Sequence, residues 1–460
     1  MTALPFFEGM EACSKESSVV MRHLLVGVAF FGGLSAAVSP LRAQTWVEMT
    51  APSTNIGPIA CSADGSKLVL AGGGWYNQGG VVYVSHDSGA TWTAADVPVG
   101  WWDAVASSAD GTTLMATELL RGLVYTSNDS GATWSLNHLP VELWDGVACS
   151  ADGTKLFAAG AQTTNGPPGG IYASVDSGKT WFQTGAPAAA WAPLACSADG
   201  SVIVAGEGAN VWVSTNSGAS SRLAYALAPP YIATGDSTLC MSLACSADGT
   251  RMAAGSAARY YYPWAGIASS ADGGGTWTFS TNGVAGMYYV ATVSYSADGG
   301  TVAAVGPVPA PTPGGGLPLC RLLLSSDSGA SWGEAPAVPW LQPPGVTSSA
   351  APWTGAAMSA DGCKLVAVYM SGCCGVYAGA VVTLQTMPRP ALGIARAAGG
   401  LVLSWIVPSM SFVLQESPDL GRTSWTDVPG APVLDYSTLR NQMTVPAPAG
   451  PMFYRLISRQ

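Results

Sequence analysis

A four-residue word, Ser-Ala-Asp-Gly, recurs seven times along this sequence. The copies begin at Ser62, Ser108, Ser150, Ser197, Ser246, Ser296 and Ser359. Their spacings of 46, 42, 47, 49, 50 and 63 residues approach the period of a radial array of four-stranded sheets. Each copy is followed by an apolar run, a glycine-rich stretch and a second apolar run, as in short strands joined by tight loops. The repeat therefore predicts an all-β fold of seven similar units.

A second, eight-residue word reads SNDSGATW at 127–134 and has close variants at 85, 174, 270 and 325. Its Asp can accept hydrogen bonds from turn amides and its Gly permits a sharp reversal, so we expect it between the third and fourth strands of a unit. Ser-Ala-Asp-Gly is expected between the first and second strands. A degenerate copy has Asn216 for Asp and Ser221 for Trp, which predicts a looser turn. The five aspartates of the word are Asp87, Asp129, Asp176, Asp272 and Asp327.

The spacing between the two words indicates how the array closes. Trp92 precedes the next Ser-Ala-Asp-Gly by 16 residues, as do Trp134 and Trp181, and Trp46 precedes Ser62 by the same 16. The strand at Trp46 should therefore be a fourth strand, and the last repeat lacks one. We predict a seven-bladed β-propeller over 44–386 that is closed by its N-terminal strand, which leaves no open sheet edge.

These words resemble the Asp-box, or bacterial neuraminidase, repeats of sialidase-like β-propellers. The resemblance implies that the boxes are structural turns remote from the functional face. A sialidase would also carry an arginine triad and an early Arg-Ile-Pro-like motif, and that motif is absent here. The predicted propeller contains only Arg121, Arg222, Arg251, Arg259 and Arg321. Sialidase activity is therefore disfavoured.

The chain ends are expected to form separate segments. Residues 21–43 have a basic start, an apolar run and small residues, as in a secretory signal peptide; we expect 1–43 to be removed, with Met21 as an alternative start. The apolar run is shorter than the roughly 20 residues that a membrane span needs. After a linker at 387–394, residues 395–460 resemble a fibronectin type III-like β-sandwich, expected to act in spacing or surface attachment. The protein is thus expected to be secreted or at the cell surface.

Candidate ligand contacts lie six residues before each Ser-Ala-Asp-Gly, where four of the seven residues are tryptophan. These are Trp102, Trp144, Trp191 and Trp353, with Tyr288 and Tyr289 beside an equivalent position. Because first strands surround the axis of such an array, the rings should lie at its mouth and stack on sugars or apolar peptide. The alternative is that they plug the channel or pack between blades.

Two acidic residues accompany these rings, Asp103 and Asp145. With Glu118, Glu142 and Glu207 expected on the same face, a carboxylate pair that cleaves glycosides is one interpretation. Solvated loop acids are the other. The sequence does not distinguish them, because catalysis depends on the separation of the carboxyl groups.

The remaining reactive side chains do not indicate a metal or cofactor. His23, His86 and His138 occupy dissimilar positions. A set of four cysteines shares one position before Ser-Ala-Asp-Gly, where a small buried residue is expected; they are Cys61, Cys149, Cys196 and Cys245. In an exported protein a disulfide among Cys320, Cys373 and Cys374 is expected.

Composition narrows the choice of partners. A net charge of −10 with only 18 Lys and Arg leaves no basic surface for nucleic acid. We expect a monomeric binding module that recognises a glycan or an extracellular protein through the Trp-lined face. The alternatives are a glycoside hydrolase that uses Asp103 or Asp145, and a purely structural surface protein.

Overall fold

The computed structural model describes most of the chain from residue 45 onward. The described residues are 45–49, 51–53, 56–72, 79–140, 143–161, 169–227, 238–258, 265–281, 284, 287, 289–308, 319–335, 353–373, 376–386, 390–397, 399–408, 410–419, 424–448, 450 and 452–458. The expected signal peptide at 1–43, and with it Glu142, Tyr288 and Cys374, lie outside them. The side chains of Trp353, Cys320 and Cys373 also lie outside the description, although their strands are within it.

The described residues form strands and turns and no helix. Up to residue 385 the strands are β1 (Thr45–Met49), β2 (Ile56–Cys61), β3 (Leu68–Gly72), β4 (Val82–Ser85), β5 (Thr93–Ala94), β6 (Trp102–Ser107), β7 (Leu114–Glu118), β8 (Leu123–Ser127), β9 (Ser135–Asn137), β10 (Leu143–Cys149), β11 (Leu156–Ala161), β12 (Ile171–Ser174), β13 (Phe182–Gln183), β14 (Trp191–Cys196), β15 (Ile203–Glu207), β16 (Asn210–Ser214), β17 (Arg222–Ala226), β18 (Thr238–Cys245), β19 (Met252–Ala258), β20 (Ile267–Ser270), β21 (Thr278–Ser280), β22 (Thr292–Tyr295), β23 (Val302–Val308), β24 (Leu319–Ser325), β25 (Gly333–Glu334), β26 (Trp353–Met358), β27 (Lys364–Cys373) and β28 (Val376–Gln385). The strands of the C-terminal tail are β29 (Gly393–Ala397), β30 (Gly400–Ile406), β31 (Phe412–Ser417), β32 (Thr426–Asp427), β33 (Val433–Asp435), β34 (Arg440–Val445) and β35 (Phe453–Ser458).

In the described part of the chain, β1 to β28 form seven antiparallel sheets of four strands each. In six of them the strands are consecutive, as in β2-β3-β4-β5. The remaining sheet has the order β1-β28-β27-β26, with Trp46 opposite Leu384. The second strands Leu68–Gly72 and Leu114–Glu118 are buried along their whole length. The sequences of such strands are continuous apolar runs, because neighbouring sheets cover both faces of the strand.

The first strands of successive sheets lie side by side in a cycle, in which β26 also contacts β2. The Ser-Ala-Asp-Gly turns join this cycle through backbone hydrogen bonds, in which each alanine amide donates to the alanine carbonyl of the next sheet. The bond from Ala360 to Ala63 is 2.6 Å long and connects the last sheet to the first. These alanines, called the alanine ring below, are Ala63, Ala109, Ala151, Ala198, Ala247, Ala297 and Ala360. Four-stranded sheets arranged about an axis in this way make the fold a β-propeller.

Both repeated words form turns. In the longer word, Asp129 Oδ1 accepts from the Thr133 amide at 2.8 Å and Oδ2 accepts from the Thr133 hydroxyl at 2.6 Å. The backbone reverses at Ser130 and Gly131, whose φ angles are 61° and 88°. The degenerate copy is not looser as expected, because the Asn216 side-chain oxygen accepts from the Ser220 amide at 2.9 Å. A carboxamide replaces the carboxylate at this position without loss of the turn.

The tail strands form two further sheets, ordered β29-β30-β34-β33 and β32-β31-β35. Leu403, Trp405 and Leu414 are buried between them in a separate hydrophobic core. Beside this core, Ile406, Val407 and Leu439 pack against the alanine ring. The described tail, called the tail module below, therefore contacts the end of the propeller that carries the Ser-Ala-Asp-Gly turns.

Candidate functional site

A β-bulge interrupts six of the seven first strands of the propeller sheets. It lies immediately after the position that the sequence marks with tryptophan, between Trp102 and Ala104 in β6 and between Trp144 and Gly146 in β10. A bulge inserts a residue that has no partner in the ladder and turns its side chain to a new direction. Asp103 and Asp145 are the inserted residues in these two adjacent strands.

Three of the predicted ring contacts are in the core. Trp102, Trp144 and Trp191 each have 0% of their surface exposed. The indole nitrogen of Trp102 donates to Gly80 O at 3.2 Å, and that of Trp144 donates to Gly122 O at 3.0 Å. Each of these two acceptors belongs to the preceding sheet, so the rings wedge adjacent sheets together. Because these three rings are fully buried, they cannot form the sugar-stacking surface that the sequence suggested. They pack between blades instead, as the alternative interpretation had it.

The other predicted ring positions contribute little exposed aromatic surface. Tyr289 is half-buried and forms an isolated bridge with Ala257. The residues equivalent to tryptophan in three further sheets are buried and are not aromatic; they are Ile56, Cys240 and Val290. A face lined with tryptophan is therefore not formed by the described side chains.

The carboxyl groups of Asp103 and Asp145, called the aspartate pair below, are close enough for a hydrogen bond between them to contribute to the pKa of each. Burial, the negative charge of Asp145 and the shared hydrogen bond raise the pKa of Asp103 to about 7. Burial also raises the pKa of Asp145, and the hydrogen bond from Asp103 opposes that rise. Asp103 is half-buried and Asp145 is exposed to solvent. Protein nevertheless surrounds both groups, as expected where side chains face a narrow axial channel.

The aspartate pair differs from the other described aspartates whose pKa is shifted. Those of the turns have a lowered pKa; for Asp110, hydrogen bonds from Thr112 and Ser108 outweigh the effect of burial. The same direction holds for Asp64, Asp87, Asp129, Asp152, Asp176, Asp199, Asp248, Asp272, Asp327 and Asp435. Hydrogen bonds stabilise the turn aspartates as carboxylates, whereas burial raises the pKa of both members of the aspartate pair.

The glutamates expected on this face are engaged within the protein. Glu118 is 1% exposed, and its two oxygens accept from the Trp101 amide at 3.0 Å and the Arg121 amide at 2.7 Å. Glu207 accepts from Asn210 at 2.9 Å and from the Trp212 indole at 3.3 Å. Both therefore position the loops around the channel mouth rather than offering a free carboxylate.

A separate groove of about 700 Å³ runs between the outer strands β9 and β13, away from the aspartate pair. Its walls include Trp181, Phe182 and Asn137. Phe182 is 47% exposed, but Asn137 is bonded within the protein, to the Trp181 indole at 3.2 Å. The groove is open, and its polar groups form hydrogen bonds between two sheets. It is therefore a weaker candidate for a ligand site than the channel mouth. Among the described residues, no three His, Cys, Asp or Glu side chains are placed to hold a metal ion.

Sequence reasoning identified the aspartate pair only as two acids beside rings. The pattern that could have singled it out is the dipeptide Trp-Asp, which occupies the same repeat position in two consecutive units, at 102–103 and 144–145. The bulges themselves leave no comparable pattern in the sequence. The described residues also contain no helix of the length and apolarity needed to cross a membrane.

Comparison with known proteins shows the fold. No protein-family model matches the sequence, and no match was found among curated proteins. Among solved structures, the GH74 xyloglucanase from Xanthomonas campestris aligns over 79% of this chain with 14% identity and a TM-score of 0.51. The aligned part spans 60% of that enzyme. YCF48 from Cyanidioschyzon merolae aligns over 74% of this chain and 98% of its own, with 14% identity and a TM-score of 0.49. A structure of YCF48 bound to D1 peptide aligns over 75% and 97%, with 16% identity and a TM-score of 0.48.

Proposed function

We propose that this protein is a secreted or cell-surface binding module, a closed seven-bladed propeller with Asp-box turns and a fibronectin type III-like tail. Its ligand, a glycan or an extracellular protein, binds at the channel mouth around the aspartate pair. The observation that carries this proposal is the meeting of two carboxyl groups, delivered by equivalent bulges of adjacent first strands.

Hydrogen bonds between the first and the last sheets of the propeller support a closed ring. The alanine ring returns from Ala360 to Ala63, and β1 completes the sheet of β26 to β28. Lys364 donates to the Ser88 hydroxyl at 2.6 Å, which ties the last sheet to a turn of the first. In this proposal the propeller domain spans 44–386 and the sandwich 395–460, joined by the linker at 387–394, within which β29 begins at Gly393. Export with removal of 1–43 belongs to the same proposal.

A binding role follows from the chemistry of the pair. Two carboxyl groups that share a proton present one hydroxyl donor and several acceptor oxygens at the same place. Polyhydroxylated and amide-containing ligands need this combination of donors and acceptors. Keeping two partly desolvated acids in contact costs stability, and such costs are concentrated at functional sites.

Glycoside hydrolysis by this pair is the weaker candidate. Carboxyl groups in hydrogen-bond contact have oxygens about 2.5–3.0 Å apart. Retaining glycosidases need roughly 5–5.5 Å between the two groups, and inverting ones roughly 6.5–9.5 Å. Asp103 and Asp145 interact at closer range than either mechanism uses. A purely structural surface protein is the other alternative, in which the shared proton only joins β6 to β10.

Binding to glycan and peptide arrays tests the proposal, with the chain from Gln44 and a variant carrying Asp103→Asn and Asp145→Asn. Asn preserves the shape and abolishes the shared proton, so we expect at least about tenfold weaker binding. Asp96→Asn removes an equal charge at an exposed site and should bind normally. Undiminished binding by a folded double variant would contradict the proposed site and direct attention to the groove near Phe182. An absence of any ligand would favour the structural alternative.

A further inference from the structure

One end of the axial channel is covered by the tail module. Ile406 is the last residue of β30 and Val407 follows it, and Leu439 lies in the turn before β34. All three pack against the alanine ring, six of whose seven members are less than 10% exposed. Alanines at the end of an open channel would be accessible to water. Their burial therefore reflects an apolar contact between the two parts of the chain.

The contacting tip of the tail module has a fixed shape. The Val407 amide donates to Leu439 O at 3.0 Å, which holds the two contacting segments together. Asp435 braces the turn by accepting from the Ser437 amide at 2.9 Å and the Thr438 hydroxyl at 2.9 Å. Leu439 has a φ of 52°, a left-handed conformation that a branched side chain rarely adopts. The protein retains leucine where glycine would be easier, which is consistent with a requirement for its side chain.

Four free thiols lie immediately inside this end of the channel, two residues before members of the alanine ring. These channel thiols are Cys61, Cys149, Cys196 and Cys245, and each is partly accessible. They lie at the junctions of first strands: Cys61 Sγ donates to Met358 O at 3.4 Å and Cys196 Sγ to Cys149 O at 3.4 Å. One edge of each first strand is paired with a second strand, so the accessible surface of the thiols opens toward the axis.

The surroundings of the channel thiols are poor in water. Burial raises the pKa of Cys61 and of Cys196 to about 12. These thiols are only partly accessible to solvent, as expected beside a narrow channel closed at one end. Thiolates are the reactive form of cysteine, so such thiols react slowly.

We propose that the tail module is a stopper, which closes the turn-bearing end of the channel and shields the channel thiols from reagents that approach from that end. The inference uses the closed ring of the proposed function and is independent of the aspartate pair and its ligand. In an exported protein the stopper would keep these four thiols from oxidation. It also leaves the mouth at the aspartate pair as the open end of the axis.

Thiol labelling tests the stopper in the full-length chain. Val407→Asp places a carboxylate against the apolar alanine ring, and its desolvation should displace the tip. N-ethylmaleimide labelling, followed by peptide mapping, would be compared with that of the unaltered protein. We expect the channel thiols to react about tenfold faster in the variant, because reagent and solvent reach them and solvation favours the reactive thiolate. Val433→Asp adds the same charge at a residue that is 72% exposed in the same sheet, and it should change nothing.

Cys240 provides an internal control, because it is 5% exposed and packs in the core between sheets. Its labelling should stay slow while the channel thiols react. If Cys240 reacts as well, the propeller itself has opened, and Leu439→Gly provides the second test because glycine suits the left-handed conformation. The stopper is ruled out if the channel thiols react equally fast in the unaltered protein and in Leu439→Gly. Ligand binding by the same variants separates this failure from failure of the proposed site.

Discussion

At the scale of single residues, aspartate side chains in this protein fall into two groups, one with a raised and one with a lowered pKa. Asp110 and its equivalents accept hydrogen bonds within their turns, which lower the pKa. Burial and the interaction with Asp145 raise the pKa of Asp103, and burial also raises the pKa of Asp145. Sequence alone shows all of these as aspartate next to small or aromatic residues. The distinction depends on the neighbouring strand and becomes visible only in the fold.

The pH dependence of stability should reveal the aspartate pair. The folded chain binds the proton of Asp103 more tightly than the unfolded chain, so this contribution is fully present below about pH 4 and is lost as pH rises to about 7. Asp103→Asn removes the ionisation cost. We expect it to raise the free energy of unfolding by about 1–2 kcal/mol at pH 8 relative to its effect at pH 4, after allowance for solvent screening.

Urea unfolding at the two pH values measures this difference. Asp96→Asn is the matched control, because Asp96 is exposed and removal of its charge should have the same small effect at both pH values. An Asp103→Asn effect that is identical at pH 4 and pH 8 would show that the pair does not share a proton in the folded protein.

At the scale of strands and sheets, much of the arrangement could be predicted. The strands follow from the apolar runs after each Ser-Ala-Asp-Gly, and the pairing of β1 with β28 agrees with the 16-residue spacing at Trp46. The direction of the tryptophan side chains could not be predicted. A bulge breaks the two-residue alternation of a strand, and no residue type in these sequences requires one. Trp144 consequently lies in the core and Asp145 is exposed.

Replacement of a wedge tryptophan tests this reassignment. Trp144 is fully buried and bonded to Gly122 of the preceding sheet, so Trp144→Ala should lower the free energy of unfolding by about 3–5 kcal/mol. Trp101→Ala, at a half-buried neighbour of Trp102, should cost clearly less. Chemical denaturation with tryptophan fluorescence and circular dichroism provides the measurement. If Trp144→Ala abolished ligand binding without loss of stability, the ring would be a contact surface as the sequence first suggested.

At the scale of the whole molecule, the two ends of the axis differ in chemistry. One end carries the alanine ring and is covered by Ile406, Val407 and Leu439. The other carries the bulges with the aspartate pair. Two modules in succession could be predicted from the change in sequence pattern near 387. The contact between the two modules could not be predicted. An alanine common to every repeat and three apolar residues in the tail show no complementarity in the sequence.

The most direct test of the channel mouth as the binding site is calorimetry with a ligand obtained from the arrays. Titrations at pH 7 in two buffers of different ionisation enthalpy count the protons exchanged on binding. We expect net proton exchange with the unaltered protein, because a ligand that contacts Asp103 and Asp145 changes their shared proton. The double variant Asp103→Asn, Asp145→Asn should show weaker binding and no such exchange. Equal affinity for both proteins, without proton exchange in either, would contradict a ligand site at the aspartate pair.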